Sequence, residues 1–112
     1  MKYSKYSVYQ INADPKKTFE SQKRVSEAIR FGTYKGYNAE YADLYKRACV
    51  IEASSLEEVV KIGNIGPERK IKREGVMHGI SVGDLIYCHD TDTSYSVDSR
   101  GFAETAFNIV EA

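Results

Sequence analysis

The order of apolar and polar residues predicts alternating strands and helices in the first part of the chain. In residues 4–11, β-forming side chains occupy both faces of an alternating pattern, which predicts a strand that ends at the turn residues 12–15. Residues 18–31 carry apolar side chains at helical spacing, which predicts a helix. Residues 32–43 are rich in Gly, Tyr and Asn, so we expect a loop or an irregular helix there.

A second strand and a second helix are predicted next. Residues 44–53 alternate as a strand does. The Ser-Ser-Leu-Glu-Glu run at 54–58 offers two overlapping Ser-x-x-Glu capping boxes, which mark a helix start. The helix is expected over residues 56–62, with Gly63 as its stop signal.

The last part of the chain predicts a connector followed by a hairpin. Residues 64–75 are polar and basic, without an element of their own. Residues 85–89 and 94–97 alternate as two strands joined by a loop at 90–93. After a change of direction at Gly-Phe, a last strand is expected over residues 106–110.

Together these elements predict an α+β fold. We expect an antiparallel sheet of about four to five strands with two helices packed on one face. At 112 residues, with 42% hydrophobic and 29% charged residues, the chain fits a single domain over residues 1–112.

Charge weighs against two classes of protein. The 16 basic and 16 acidic side chains cancel, which argues against a non-specific nucleic-acid binder and against an acidic mimic of DNA. The distribution is uneven, because residues 61–74 carry five basic and two acidic groups. A mixed, solvated surface is the simplest interpretation.

The cysteines and the absence of long apolar runs favour a cytoplasmic protein. Cys49 and Cys88 lie far apart in apolar, strand-like runs, so we interpret both as reduced core residues. The polar, Tyr-rich start is unlike a signal peptide, and no apolar run reaches the roughly 18–20 residues of a membrane span. No cofactor and no metal are expected.

Two C-terminal segments resemble the YodL-like domain family. Residues 77–86, Met-His-Gly-Ile-Ser-Val-Gly-Asp-Leu-Ile, are similar to the family's G-H-S-L-S-V-x-D-V-I segment. Residues 95–102, Tyr-Ser-Val-Asp-Ser-Arg-Gly-Phe, are similar to its Y-Y-x-D-S-x-G-F segment. Upstream, Tyr-Gln in the first strand and Ser-Leu-Glu-Glu at the second helix match family patterns in the same order. Two departures are Gly79, where the family has Ser, and Arg100, where it has an aromatic residue.

The resemblance implies an accessory protein of phages, plasmids or integrative elements in a bacterial host, with no established enzymatic activity. It suggests a protein that binds a host protein, for example to inhibit a host defence system as anti-CRISPR proteins do. Because exposed Tyr and Arg dominate binding hot spots, Tyr34, Tyr37 and Tyr41 are the expected contacts, with Arg100 second. The oligomeric state is left open.

The polar residues of the two C-terminal segments are interpreted as structural, since Asp and Ser side chains commonly hold backbone bends. They are His78, Ser81, Gly83 and Asp84 in the first segment, and Asp98, Ser99, Gly101 and Phe102 in the second. The alternative is a small hydrolase-like site formed by His78, Asp84 and Asp98, which requires the three side chains to converge in one pocket. No catalytic residue is assigned.

A further hypothesis is a nucleic-acid-associated regulator. The basic connector offers Arg69, Lys70, Lys72 and Arg73, and the N-terminal lysines would add to them as phosphate contacts. No aromatic residue interrupts the basic run, so a solvated loop is the simpler interpretation, and a host protein ranks above nucleic acid as the partner.

Overall fold

The computed structural model describes residues 3–11, 23, 25–31, 41, 44–74, 77–98 and 101–105, which contain a six-stranded antiparallel sheet. The strands are β1 (Ser4–Gln10), β2 (Lys46–Ala53), β3 (Ile71–Arg73), β4 (Leu85–Cys88), β5 (Thr93–Asp98) and β6 (Gly101–Thr105). Their order is β3-β2-β1-β4-β5-β6, and every neighbouring pair is antiparallel. The α+β class is confirmed, with six strands where about four to five were expected.

Strand β1 lies at the centre of the sheet and is buried on both sides. It pairs with β2 and with β4, and its last five residues are all buried. Because successive side chains of a strand point to opposite faces, Val8 belongs to one core cluster and Tyr9 to the other. Strand β4 divides in the same way, with Ile86 in the first cluster and Leu85 in the second.

The two helices cover opposite faces of this sheet. Residues 25–31 are helical (α1) and contribute Val25 and Ala28 to the cluster around Tyr9. Helix α2 (Leu56–Ile65) contributes Val59 and Ile62 to the cluster around Val8. This corrects the expectation that both helices pack on one face. The physical reason is that β1 and β4 are apolar on both sides, so each face needs its own cover.

Helix α2 starts at the second of the two capping boxes. The Ser55 hydroxyl accepts a hydrogen bond from the Glu58 backbone N–H at 3.2 Å. The Glu58 carboxylate in turn accepts one from the Ser54 hydroxyl at 2.9 Å. One of the orphan N–H groups of the first turn, that of Glu58, is thereby satisfied.

The helix runs past Gly63, which was expected to end it, and stops at Gly66 with a φ of 94°. A Cβ at position 63 would lie 2.3 Å from Ile80 Cδ1. Glycine at this position therefore allows the segment around Ile80 to pack closely on the helix, and it is not a stop signal.

The basic connector forms an edge of the sheet. A 3-10 turn at Glu68–Lys70 leads directly into β3, whose first residue, Ile71, is buried in the core. Strand β3 pairs with β2, with Lys72 opposite Val50. The expectation of a solvated loop is thus corrected, because one apolar residue in the run is enough to dock it.

The C-terminal hairpin is extended by β6, which occupies residues where only a change of direction was expected. The strand predicted over residues 106–110 lies outside the described residues. Cys49 and Cys88 are buried free thiols, and burial raises the pKa of Cys49 to about 11. None of the helices in the described part of the chain is long and apolar enough to span a membrane.

Candidate functional site

The polar residues near the C-terminal motifs are held in a partly buried network that begins at Gln10. Gln10 is fully buried at the end of β1. Its Nε2 donates to the backbone carbonyl of His78 at 2.9 Å, and its Oε1 accepts from the backbone N–H of the same residue at 3.2 Å. The side chain thus satisfies both main-chain groups of one residue, as a neighbouring strand would.

Asn64 makes the same pair of hydrogen bonds to the main chain of Ile80, two residues after His78. Its Nδ2 donates to the carbonyl of Ile80 at 3.0 Å, and the Ile80 N–H donates to its Oδ1 at 2.6 Å. We call the set of Gln10, Asn64 and Asp84, with the backbone they hold at residues 78–81, the amide clamp. It fixes the segment at 78–81 to β1 on one side and to α2 on the other.

Asp84 completes the amide clamp from a position three residues after Ser81. Its Oδ2 accepts hydrogen bonds from the Ser81 backbone N–H and from Gln10 Nε2, each at 3.0 Å. Burial raises the pKa of the Asp84 carboxyl to about 6, against the lowering effects of these two donors and of the charge on His78. The preceding residue, Gly83, has a φ of 98°, which favours glycine.

Two of the three side chains of the hydrolase hypothesis, those of Asp84 and His78, make hydrogen-bond contacts in this local structure. The carboxylate of Asp84 is occupied by Gln10 and Ser81, and Nδ1 of the exposed His78 lies 2.9 Å from the carbonyl of Gly79. Asp98 is exposed at the end of β5. Within the described ranges, no group of three or more His, Cys, Asp or Glu side chains is arranged to hold a metal ion.

The second motif closes the hairpin between β5 and β6. Asp98 pairs with Gly101, whose φ of 144° favours glycine. Phe102 is half-buried against the core cluster of Val8 and α2. Ser99 and Arg100, between the two strands, lie outside the described residues.

Of the three expected partner-binding tyrosines, the structure describes Tyr41. Tyr34 and Tyr37 lie outside the described residues. Tyr41 is half-buried against the cluster that α1 covers, with its ring centroid 5.9 Å from that of Phe31. Only part of the Tyr41 side chain is therefore available to a partner.

A second polar region lies at the opposite end of β1, as an open groove across β1, β2 and the connector before β3. Its volume is about 660 Å³. Its lining residues are Tyr3, Lys5, Val50, Glu52, Arg69, Lys70, Ile71 and Lys72. We call it the basic groove, because four of these side chains are cationic and one is acidic.

The strand register explains why these residues meet. Lys5 pairs with Glu52 between β1 and β2, and Val50 pairs with Lys72 between β2 and β3. Paired residues of adjacent strands lie on the same face. Tyr3, two residues before Lys5, lies on that face as well, since the side-chain period of a strand is two.

The groove has an apolar floor and charged walls. Val50 is only 8% exposed, whereas the four cationic side chains are exposed. Ile71 is one residue out of phase with Lys72 and pairs with Ile51, so its side chain lies in the core cluster on the other face of the sheet. Tyr3 is 54% exposed. Within the described chain, none of the four cations makes an ion pair with another residue.

Arg73 does not join the groove, although it belongs to the same basic run. It pairs with Cys49, one residue out of phase with Lys72, and therefore points to the other face. There its Nη2 donates to Glu68 Oε2 at 2.9 Å. Strand alternation thus divides the basic run, and Arg73 is neutralised locally.

Sequence reasoning missed Gln10 and Asn64 in the amide clamp, and Tyr3 and Glu52 in the groove. A polar amide inside a strand of β-formers was the available signal for Gln10. No sequence pattern indicated that Glu52 lines the groove, because its position beside Lys5 depends on the β1–β2 register.

No family model, no curated protein and no solved structure matches this chain. The resemblance to the YodL-like family therefore stays a prediction.

Proposed function

We propose that the protein is a non-enzymatic nucleic-acid-binding module whose basic groove contacts the phosphate backbone. The observation that supports this is the convergence of Lys5 with Arg69, Lys70 and Lys72, which are more than sixty positions away in the sequence. Proteins gain most of their non-specific affinity for nucleic acids by neutralising phosphates with Lys and Arg. Four exposed cations in one groove are suited to that role.

The zero net charge of the chain does not oppose this proposal. Charges separated by more than about 8–10 Å are largely screened at physiological salt. A phosphate in the groove would therefore be governed by the four cations and Glu52 that line it, and much less by acidic residues elsewhere. Because of this local balance of charge, we rank nucleic acid above a host protein as the partner, whereas the sequence alone favours a host protein.

The family resemblance supplies a broader proposal, an accessory protein of a phage or mobile element that acts on a host component and inhibits a defence system. Binding of a host protein through tyrosines has less support, because Tyr41, the expected contact that the structure describes, is half-buried. A hydrolase-like function has less support again, since Asp84 is engaged by Gln10 and Ser81.

The test is equilibrium binding of fluorescently labelled oligonucleotides, single-stranded and duplex, at several salt concentrations. The variant Lys70→Ala/Lys72→Ala removes two groove cations, and Lys46→Ala/Lys61→Ala removes two exposed lysines that do not line the groove. Each lost phosphate contact lowers the slope of log K against log salt by about one on duplex and somewhat less on single strands. We expect the groove variant to bind about tenfold more weakly at low salt, with a slope reduced by about two on duplex.

The matched control variant should retain its affinity to within about twofold, because its charge change is the same but its position is not. Equal losses in both variants would mean that overall charge governs binding and would overturn the groove. Binding of an acidic polypeptide in preference to both oligonucleotides would favour a protein partner.

A further inference from the structure

The basic groove contains three features that phosphate binding does not require. They are an exposed aromatic ring, an apolar floor and an acidic side chain. Tyr3 is 54% exposed at the mouth of the groove, and no partner for its hydroxyl is found in the described chain. A site made only for phosphate would not need the ring and would be weakened by Glu52.

The aromatic ring offers a surface for stacking. Bases of single-stranded nucleic acids stack on exposed Tyr, Phe or Trp rings in proteins that bind them without strong sequence preference. Tyr3 lies on the same sheet face as Lys5, about 7 Å along the strand at the usual rise per residue. A nucleotide whose base covers Tyr3 therefore has its phosphate within reach of a lysine.

The floor and the acid determine where the two parts of a nucleotide lie. Val50 presents apolar surface at the bottom of the groove, where a base or sugar makes favourable contact. Glu52, exposed in the same groove, repels phosphate and accepts hydrogen bonds from the N–H groups of bases. The backbone is thereby directed to the cations, and the base is directed inward.

We infer that the groove selects single-stranded over duplex nucleic acid, with one unpaired base stacked on Tyr3 above Val50. In a duplex the bases are already stacked and paired, so a duplex can contact the cations of the groove but cannot stack a base on Tyr3. A volume of about 660 Å³ lies within the range of pockets that take small organic ligands, which suits one or two nucleotides. This inference rests on the proposed function.

The experiment measures the ratio of affinities for a labelled single strand and for its duplex, with Tyr3→Ala, Tyr3→Phe and wild type compared. Losing a base–aromatic stack weakens single-strand binding by about 5- to 150-fold, so we expect Tyr3→Ala to lose at least about fivefold on the single strand. Its duplex affinity should stay within about twofold of wild type. Tyr3→Phe keeps the ring and should keep the preference.

Two further variants sharpen the test. Ile65→Ala removes the most exposed of the large apolar side chains described, which does not line the groove, and should leave both affinities unchanged. Glu52→Gln removes the repulsion of phosphate, so it should raise the duplex affinity more than the single-strand affinity. Thermal unfolding followed by circular dichroism checks that each variant is folded.

The outcomes separate this inference from the function on which it rests. Equal affinity for single strand and duplex, or equal losses on both in Tyr3→Ala, would overturn the single-strand preference while the nucleic-acid function stands. A loss in Tyr3→Phe as large as in Tyr3→Ala would overturn stacking as its cause. Failure of both oligonucleotides to bind wild-type protein would overturn both proposals.

Discussion

The two polar regions at the ends of β1 differ in how their polar groups are used. In the amide clamp, the side-chain amides of Gln10 and Asn64 and the carboxylate of Asp84 are all hydrogen-bonded within the protein. Within the described residues, no buried side-chain nitrogen or oxygen is left without a partner. In the basic groove, four cations are exposed and make no ion pair with other described residues.

This difference separates a structural role from a binding role. A buried polar group contributes to stability only when its hydrogen bonds are made, so its removal destabilises the fold. An exposed cation contributes little to folding and keeps its charge available to a ligand. The polar residues of the first C-terminal motif, for which a hydrolase-like site was the alternative interpretation, thus belong to the first class, and the basic run that was expected to be a solvated loop belongs to the second.

Substitution of Gln10 should give the largest effect on stability. Gln10→Ala removes three hydrogen bonds, exposes the His78 main chain to a cavity and should lower the free energy of unfolding by about 3 kcal/mol. Gln10→Met keeps most of the side-chain volume, so the difference between the unfolding free energies of the two variants gives the contribution of the cavity. Urea unfolding at neutral pH measures both, and a loss under about 1 kcal/mol in each would show that the clamp is dispensable.

The pH dependence of stability should reveal the buried carboxyl of Asp84. Its folded pKa of about 6 is above the ordinary 3.8, so its stabilising contribution is complete below about pH 4 and is lost as the pH rises through 6. A shift of this size corresponds to about 2–3 kcal/mol. Asp84→Asn cannot ionise, while its Oδ1 still accepts from Gln10 and Ser81.

The measurement is the difference between the unfolding free energies of wild type and Asp84→Asn from about pH 4 to pH 8. The free energy of unfolding of the variant, relative to that of the wild type, should rise by about 2 kcal/mol from pH 4 to pH 8. The other titrating groups are common to both proteins, so their contributions cancel in this difference. Parallel profiles would mean that the carboxylate is solvated and that the clamp is open in solution.

The elements of the fold were largely predictable because local patterns determine them. The alternation of Tyr6 to Gln10 predicted β1, and the Ser-x-x-Glu spacing predicted the start of α2 at Ser55 and Glu58. The end of α2 was not predictable, because Gly63 is explained by the approach of Ile80 from a distant part of the chain. The opposite placement of the helices depends likewise on which face of β1 each one covers.

The candidate site was predictable only in part. The basic run was recognised as a source of phosphate contacts, yet alternation in β3 sends Lys72 to the groove and Arg73 to the other face. No aromatic residue interrupts the basic run in the sequence. In the fold, however, the pairing of β1 with β2 brings Tyr3 into the groove that the basic run lines. Long-range register decides both points, and no local pattern encodes it.

The smallest effect on stability is expected in the groove. Lys70→Ala/Lys72→Ala should change the free energy of unfolding by less than about 0.5 kcal/mol, since both side chains are exposed and neither makes an ion pair with a described residue. Any change should be a gain at low salt, because two of four neighbouring like charges are removed, and it should shrink as salt is added. Urea unfolding at two salt concentrations measures it, with Lys46→Ala/Lys61→Ala as the matched control. A loss as large as that of Gln10→Ala would place these lysines among the structural residues, and the weaker oligonucleotide binding of the same variant would then report unfolding.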